Sequence, residues 1–281
     1  ENIITETSNV LLSNVFDFEI NRALFVLGPK SAGHMAIFTA MMIPFISFQK
    51  NNILKVIFYF TTILTLLLID NRMSIIALIL SYLVYICIIK KENYFLARLI
   101  LILTPFFSII IISVLPILTE FYSFDLFSRT TGNNFFDNSR TLIWISVFTD
   151  IFNLNFNTVF GIGEYANTQY QSVMSYSSIF SNFNDSEMKT VHNTFLQLIL
   201  DRGYLFFILF FTFLIMLLNK LLKIKNKEIK KYISISLFVF LFSSTTEVLI
   251  GSYYFIIIFL LTSFYSYIKL IPKLNPTKYE N

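Results

Sequence analysis

Charge, cysteine and metal ligands are all scarce in this chain, and each shortage narrows what it can be. Only 14% of its 281 residues are charged, while 56% are hydrophobic, and the mean hydropathy is +0.69. Ordinary soluble domains carry about 25% charged residues, so composition excludes a water-soluble fold and points to a polytopic membrane protein. The single cysteine, Cys87, lies in an apolar run. No intramolecular disulfide can form, and Cys87 reads as a small hydrophobe facing lipid or core. There are two histidines, with no second His near His192, no thiolate cluster and no acidic loop of calcium-binding spacing, so no metal is expected. Walker and Gly-x-Ser-x-Gly motifs are missing, as are an internal repeat and the inverted repeat of many transporters. The chain begins at Glu1 with neither Met nor a signal-like segment, as a fragment of a longer protein would.

What the sequence does have is apolar runs long enough to span a bilayer, for which about 17–25 residues are needed. Seven are expected, at about 34–48, 53–69, 73–89, 99–118, 194–218, 232–250 and 252–268, with the 194–218 run interrupted at Asp201-Arg202-Gly203. The expected architecture is therefore all-α: about seven transmembrane helices and one long external loop carrying an amphipathic surface helix. It divides into 1–118 (outer segment and four spans), 119–193 (the loop) and 194–281 (three spans and a tail).

Charge sets the orientation. Lys220, Lys223, Lys225, Lys227, Lys230 and Lys231 follow the fifth run. Lys50 and Lys55, then Lys90, Lys91 and Arg98, occupy earlier linkers, and Lys269, Lys273 and Lys278 the tail. The positive-inside rule makes these segments and the C-terminus cytoplasmic. The 119–190 loop has three bases (Arg129, Arg140, Lys189) against seven acids (Glu120, Asp125, Asp137, Asp150, Glu164, Asp185, Glu187), which puts it outside. The assignments alternate without conflict and also place residues 1–32 outside. If the intact protein starts in the cytoplasm, an odd number of earlier spans is missing. The net charge of +4 then reads as membrane-surface anchoring; no basic motif with interleaved aromatics points to nucleic acid.

Loops beyond about 12–15 residues are usually functional or disordered, and the polar groups able to do chemistry gather at this outer face. Arg72 follows Asp70 and Asn71, either of which can cap the helix after it; a cation there opposes the helix dipole, and a bound anion would relieve it. Arg140 follows Asn138 and Ser139, both suited to an N-cap. Leu142, Ile145, Phe148 and Ile151-Phe152 then recur at helical spacing, with the sole Trp, Trp144, suited to the interface. A helix N-terminus beside an Arg is an oxyanion or phosphate site. His192, with Asn193 or Thr194 as the following cap, stands where the loop re-enters the bilayer. There a half-desolvated imidazole can stay neutral and accept a proton from a hydroxyl. Gly161 and Gly163 read as a turn returning from the surface helix. Glu247 is an ionisable group near the outer end of a span, costly in lipid and expected to face the bundle. Plainer readings compete: headgroup contact for the arginines, a structural role for His192 and His34, a polar interhelix contact for Glu247.

The motifs, in this order, resemble the O-antigen polymerase and O-antigen ligase superfamily of bacterial integral-membrane glycosyltransferases. Asn71-Arg72 looks like its Ser-Arg at a span start, with Asn in place of the usual small hydroxyl residue. Ser139-Arg140 through Trp144 looks like its external-loop Arg motif, and Phe160-Gly161-Ile162-Gly163 like its Gly-x-Gly turn. His192-Asn193-Thr194-Phe195-Leu196 with Asp201-Arg202-Gly203 looks like its His-Asn motif and following acid-x-Gly; Thr246-Glu247 is a softer match. The resemblance covers about 30–268.

It implies an undecaprenyl-diphosphate-linked glycan donor, a glycan acceptor and no cofactor or metal. Arg72 and Arg140 would hold the diphosphate and His192 would be the catalytic base, with inversion at the anomeric carbon. Asn193, Arg129, Gly161, Gly163 and Glu247 would support the site, and Tyr165, Tyr170 and Tyr176 would stack on sugar. The setting would be the bacterial cytoplasmic membrane, with the loop periplasmic or extracellular, beside a chain-length regulator and a flippase. Polymerisation is the favoured activity, for O-antigen or capsular polysaccharide. Ligation to lipid A core, transport of the lipid-linked sugar and a non-catalytic scaffold are the alternatives.

Overall fold

The computed structural model describes residues 4–6, 22–25, 28–69, 71–107, 139–163 and 191–249. Arg129, Tyr165, Tyr170, Tyr176 and the expected 252–268 span lie outside the described residues. The chain is an all-α membrane protein. One short antiparallel ribbon precedes its first helix, β1 (Ile4–Glu6) paired with β2 (Arg22–Phe25) in the register Ile4 with Phe25 and Glu6 with Arg22. The sequence pattern gave no sign of this ribbon.

The chain forms two compact units, the first from Glu1–Asn93, Leu115–Asp137 and Glu228–Ser243, the second from Tyr94–Val114, Asn138–Lys227 and Ser244–Asn281. In the first, α1 (Gly28–Met42) runs into a 3-10 segment, Ile43–Phe48, where Pro44 cannot donate to a regular helix. Then follow α2 (Asn52–Ile69) and α3 (Arg72–Val84), the latter continuing as a π-helical turn over Tyr85–Ile89. Asn51 caps α2 by accepting from the N–H of Ile53 at 2.9 Å. Its apolar residues Ile53, Val56, Phe60 and Ile63 are exposed, the surface expected of a helix in contact with lipid. The opposite holds for α8 (Lys227–Ser243), buried on every side from Tyr232 onward. The Ser236 hydroxyl donates to the Met41 carbonyl at 2.5 Å and ties α8 to α1.

In the second unit, α4 (Tyr94–Leu103) gives way to a 3-10 turn at Pro105. The Arg98 guanidinium donates to the side-chain oxygen of Asn219, far along the chain, at 2.8 Å. The short helices α5 (Ser139–Phe152) and α6 (Phe156–Phe160) pack on α7 (Thr194–Leu222). Among the described residues, α2, Arg72–Ile89 and α7 are long and apolar enough to cross a membrane.

The expected spans differ in their bounds, the first beginning earlier, at Gly28, and the fifth ending later, at Leu222. The helix near 99–118 begins earlier, at Tyr94, and its residues beyond 107 are outside the described ones. The expected 232–250 span starts at Lys227 and stops at Ser243, after which Ser244–Leu249 leave the helix. Ser and Thr compete with the helical ladder through their own hydroxyls, and here the backbone of this segment bonds to α7 instead.

Candidate active site

Two segments of the second unit meet the N-terminus of α7, where His192 sits, and a third lies on the break at Gly203 farther along that helix. Asn193 is the N-cap: its side-chain oxygen accepts from the N–H groups of Phe195 at 2.9 Å and Leu196 at 3.1 Å. These donors have no partner within the helix. Its amide nitrogen donates to the Thr245 carbonyl at 2.9 Å, so one buried residue both caps α7 and fastens the unwound segment. Thr194 adds three bonds. Its N–H reaches the Ser244 carbonyl at 2.8 Å. Its hydroxyl donates to the Glu247 carbonyl at 2.6 Å and accepts from the Leu249 N–H at 2.8 Å. Glu247 is therefore carried on non-helical backbone bonded to the residue two places after His192.

The second segment is α5. Ile143, Trp144, Val147 and Ile151 form its buried face, packed with Val191, Leu196, Ile199 and Leu200. Of the expected apolar series, Ile151 belongs to this cluster, the half-buried Phe148 packs on it and Phe152 is exposed; the side chains of Leu142 and Ile145 lie outside the described residues. The packing corrects the interfacial role expected for Trp144, which is 4% exposed and donates its indole N–H to the Val191 carbonyl at 2.8 Å. A helix apolar on most sides is compatible with several faces, and packing against α7 selects among them. Arg140 is the second residue of α5.

Gly161 and Gly163 form the third segment. α6 opens with a reciprocal capping box between Asn155 and Thr158 and ends at Gly161. The segment was expected to be a turn; it is an extended joint lying on a break in α7. Gly203 has φ 79° and ψ 170° inside that helix, and Gly161 has φ 82° and ψ 162°, a region open essentially to glycine alone. The break frees carbonyls of the preceding turn, and the N–H groups of Ile162 and Gly163 take those of Leu200 (3.2 Å) and Asp201 (2.9 Å). A Cβ on Gly161 would run into the backbone of Asp201 and Arg202, and one on Gly203 into that of Val159. The break expected at Asp201-Arg202-Gly203 is thus present, and the two glycines are halves of one joint.

His192 has φ 52°, left-handed backbone that costs a non-glycine residue on the order of 1–3 kcal/mol, though His is among the types enriched there. Its flanks hold it. The Val191 carbonyl is bound by Trp144, and the Val191 N–H donates to the side-chain oxygen of Gln197 at 2.9 Å. Gln197 in turn donates to the Asp201 carboxylate at 2.8 Å. Asn193, Gln197 and Asp201 are all buried, a polar row at helical spacing along the first turns of α7. The sequence reading passed over Gln197; the signal was an amide four residues after the cap and four before an acid. On α5, burial pushes the Asp150 carboxyl above its usual range.

Arg72 belongs to the first unit, as the first residue of α3. Asn71 caps this helix, accepting from the Ser74 N–H at 3.1 Å, and its amide nitrogen donates to the Gly33 carbonyl at 3.2 Å. The first turn of α3 holds no acid. His34 is on α1, one residue from the glycine that Asn71 binds. Among the described residues no group of three or more His, Cys, Asp or Glu side chains is placed to hold a metal.

A family model described as O-antigen ligase matches residues 57–211, more than half of the chain. That stretch contains Arg72, Arg140, Gly161, Gly163, His192, Asn193 and Gly203 and stops short of Glu247. No curated protein and no solved structure matches the chain. A membrane-spanning all-α architecture, the His-Asn cap of α7, the glycine joint and the family match agree: the chain belongs to the O-antigen ligase family.

Proposed function

We propose that this protein is a membrane glycosyltransferase that polymerises undecaprenyl-diphosphate-linked oligosaccharide repeat units at the outer leaflet of the bacterial cytoplasmic membrane. The observation carrying this reading is the place of His192 at the head of α7, between Val191, whose carbonyl the Trp144 indole binds, and Asn193, whose side chain donates to the Thr245 carbonyl. His192 takes the proton from an acceptor sugar hydroxyl; the oxygen forms a bond to the anomeric carbon, and the bond from that carbon to the carrier phosphate breaks. Undecaprenyl diphosphate leaves with the electron pair, opposite the attack, so the new linkage is inverted. The arginines answer the leaving group: Arg72 and Arg140 present forked donors to phosphate oxygens as negative charge grows there. Each sits in the first turn of a helix, where backbone N–H groups also favour an anion. Arg129, Gly161, Gly163, Asn193 and Glu247 would support the site in this reading, and the 119–193 loop would cover the glycan. The alternation of basic linkers with an acidic loop supports an outward-facing site.

Ligation is the second reading, favoured by the description of the matched family. It differs in the acceptor, a lipid A core sugar instead of a carrier-linked repeat unit. The test uses purified protein in detergent with carrier-linked glycan extracted from the native host and EDTA. Polymerisation predicts longer glycan and released undecaprenyl diphosphate without ATP or nucleotide sugar; transfer only upon addition of lipid A core identifies a ligase. His192→Ala and Arg140→Ala should each lower turnover by about 10²-fold or more with expression unchanged. Full activity in both variants overturns the site.

A further inference from the structure

Removing a proton from a sugar hydroxyl requires the imidazole in one place, and His192 has no regular secondary structure of its own to put it there. The direction of its Cα–Cβ bond is set by the peptide planes on either side. The plane after His192 is held through Asn193, whose side chain is locked into the α7 cap and the Thr245 carbonyl. The plane before it contains the Val191 carbonyl, held by the Trp144 indole, and the next plane back ends in the Val191 N–H, held by Gln197.

We infer that Gln197 and Trp144 are positioning residues: together they clamp Val191 from both of its backbone polar groups, and so aim the His192 imidazole at the acceptor hydroxyl. The inference rests on the reading of His192 as the base and adds to it the residues that hold the base in register. The chemistry of Gln197 fits the task. A carboxylate only accepts, so Asp201 takes the amide N–H of Gln197 and turns the amide oxygen toward the Val191 N–H. Both groups are nearly out of solvent, Gln197 at 2% and Asp201 at 3% exposure, where water cannot substitute for a lost partner. The Trp144 ring is likewise buried, so its N–H has one direction to point. Neither residue touches the proton being transferred; each acts through backbone on the angle at which His192 meets it.

The test compares Gln197→Leu, Trp144→Phe and His192→Ala in the detergent-solubilised full chain, reading release of undecaprenyl diphosphate from native carrier-linked glycan. Displacing a reacting group by about 1 Å can cost on the order of 10²-fold. Gln197→Leu and Trp144→Phe should therefore lower kcat by about ten- to a hundredfold with KM for the donor unchanged, and the double variant should lose less than the product of the two. The paired exchange Gln197→Glu with Asp201→Asn should restore kcat, because the new carboxylate accepts from both the Val191 N–H and the Asn amide. Trp144→Phe keeps the ring in the core and removes only the N–H, so it decides the matter if Gln197→Leu does not elute as a single folded species. An inactive His192→Ala alongside a Trp144→Phe that keeps its kcat, or raises only KM, overturns the clamp and leaves the base standing. A fully active His192→Ala overturns the base itself.

Discussion

At the scale of single residues, asparagine does work that its usual substitutes cannot. As a plain cap, Asn is interchangeable with Asp or Ser within a few tenths of a kcal/mol, and loss of a cap costs about 1 kcal/mol. At Asn193 the amide nitrogen also holds the Thr245 carbonyl, and at Asn71 it holds the Gly33 carbonyl. Asn193→Asp keeps the cap oxygen but faces Thr245 with an acceptor and buries a charge at a site with 0% exposure. It should lower stability by at least about 2 kcal/mol, as much as Asn193→Ala or more. Thermal melts followed by fluorescence-detected chromatography would read this, and an Asp variant as stable as the parent would remove the bridge from the account. The caps were legible in the sequence because an Asn stood before each apolar run. The bridges were not, because their partners lie 38 and 52 residues away. A Ser at position 71 could cap α3 but would lack the amide N–H that reaches Gly33.

At the scale of elements, runs of apolar residues announced the helices, and the breaks decide the site. The Gly203 break was legible because Asp201-Arg202-Gly203 puts charge and glycine inside a span. The break after Ser243 was not, because Ser and Thr are tolerated in membrane helices, and only the bonds to Asn193 and Thr194 show that the helix has ended. The buried face of α5 was only partly legible for a related reason: Phe152, which is exposed, is as apolar as Ile143 and Val147, which are buried, and periodicity alone cannot rank two apolar faces. The joint of Gly161 and Gly203 makes a graded prediction. Gly203→Ala meets glycine-only backbone and a collision with Val159, so it should cost at least about 3 kcal/mol and abolish turnover. Gly163→Ala has φ 114° but nothing within 4 Å of the new Cβ, so it should cost only about 1–2 kcal/mol. Equal melting points for the two variants would show that the joint is not close-packed.

At the scale of the whole molecule, composition and the length of the apolar runs together yielded the class, since a chain in lipid must satisfy its backbone internally and runs this long do so as helices. Which side the site faces rests on charge, and outer-leaflet transfer depends on it. By the positive-inside rule the lysines of the linker between α7 and α8 would stay on the cytoplasmic side, whereas an acidic loop would be free to cross. The lone cysteine makes this directly testable. Cys87→Ser leaves no thiol in the chain, and a single cysteine can then be placed at Ser175 in the loop or at Lys225 in the linker. A membrane-impermeant maleimide on intact spheroplasts should label the Ser175→Cys protein and spare the Lys225→Cys protein until the membrane is opened. The reverse pattern would put His192 and the head of α7 on the cytoplasmic side, away from the flipped lipid-linked donor, and would leave outer-leaflet glycan transfer without a site.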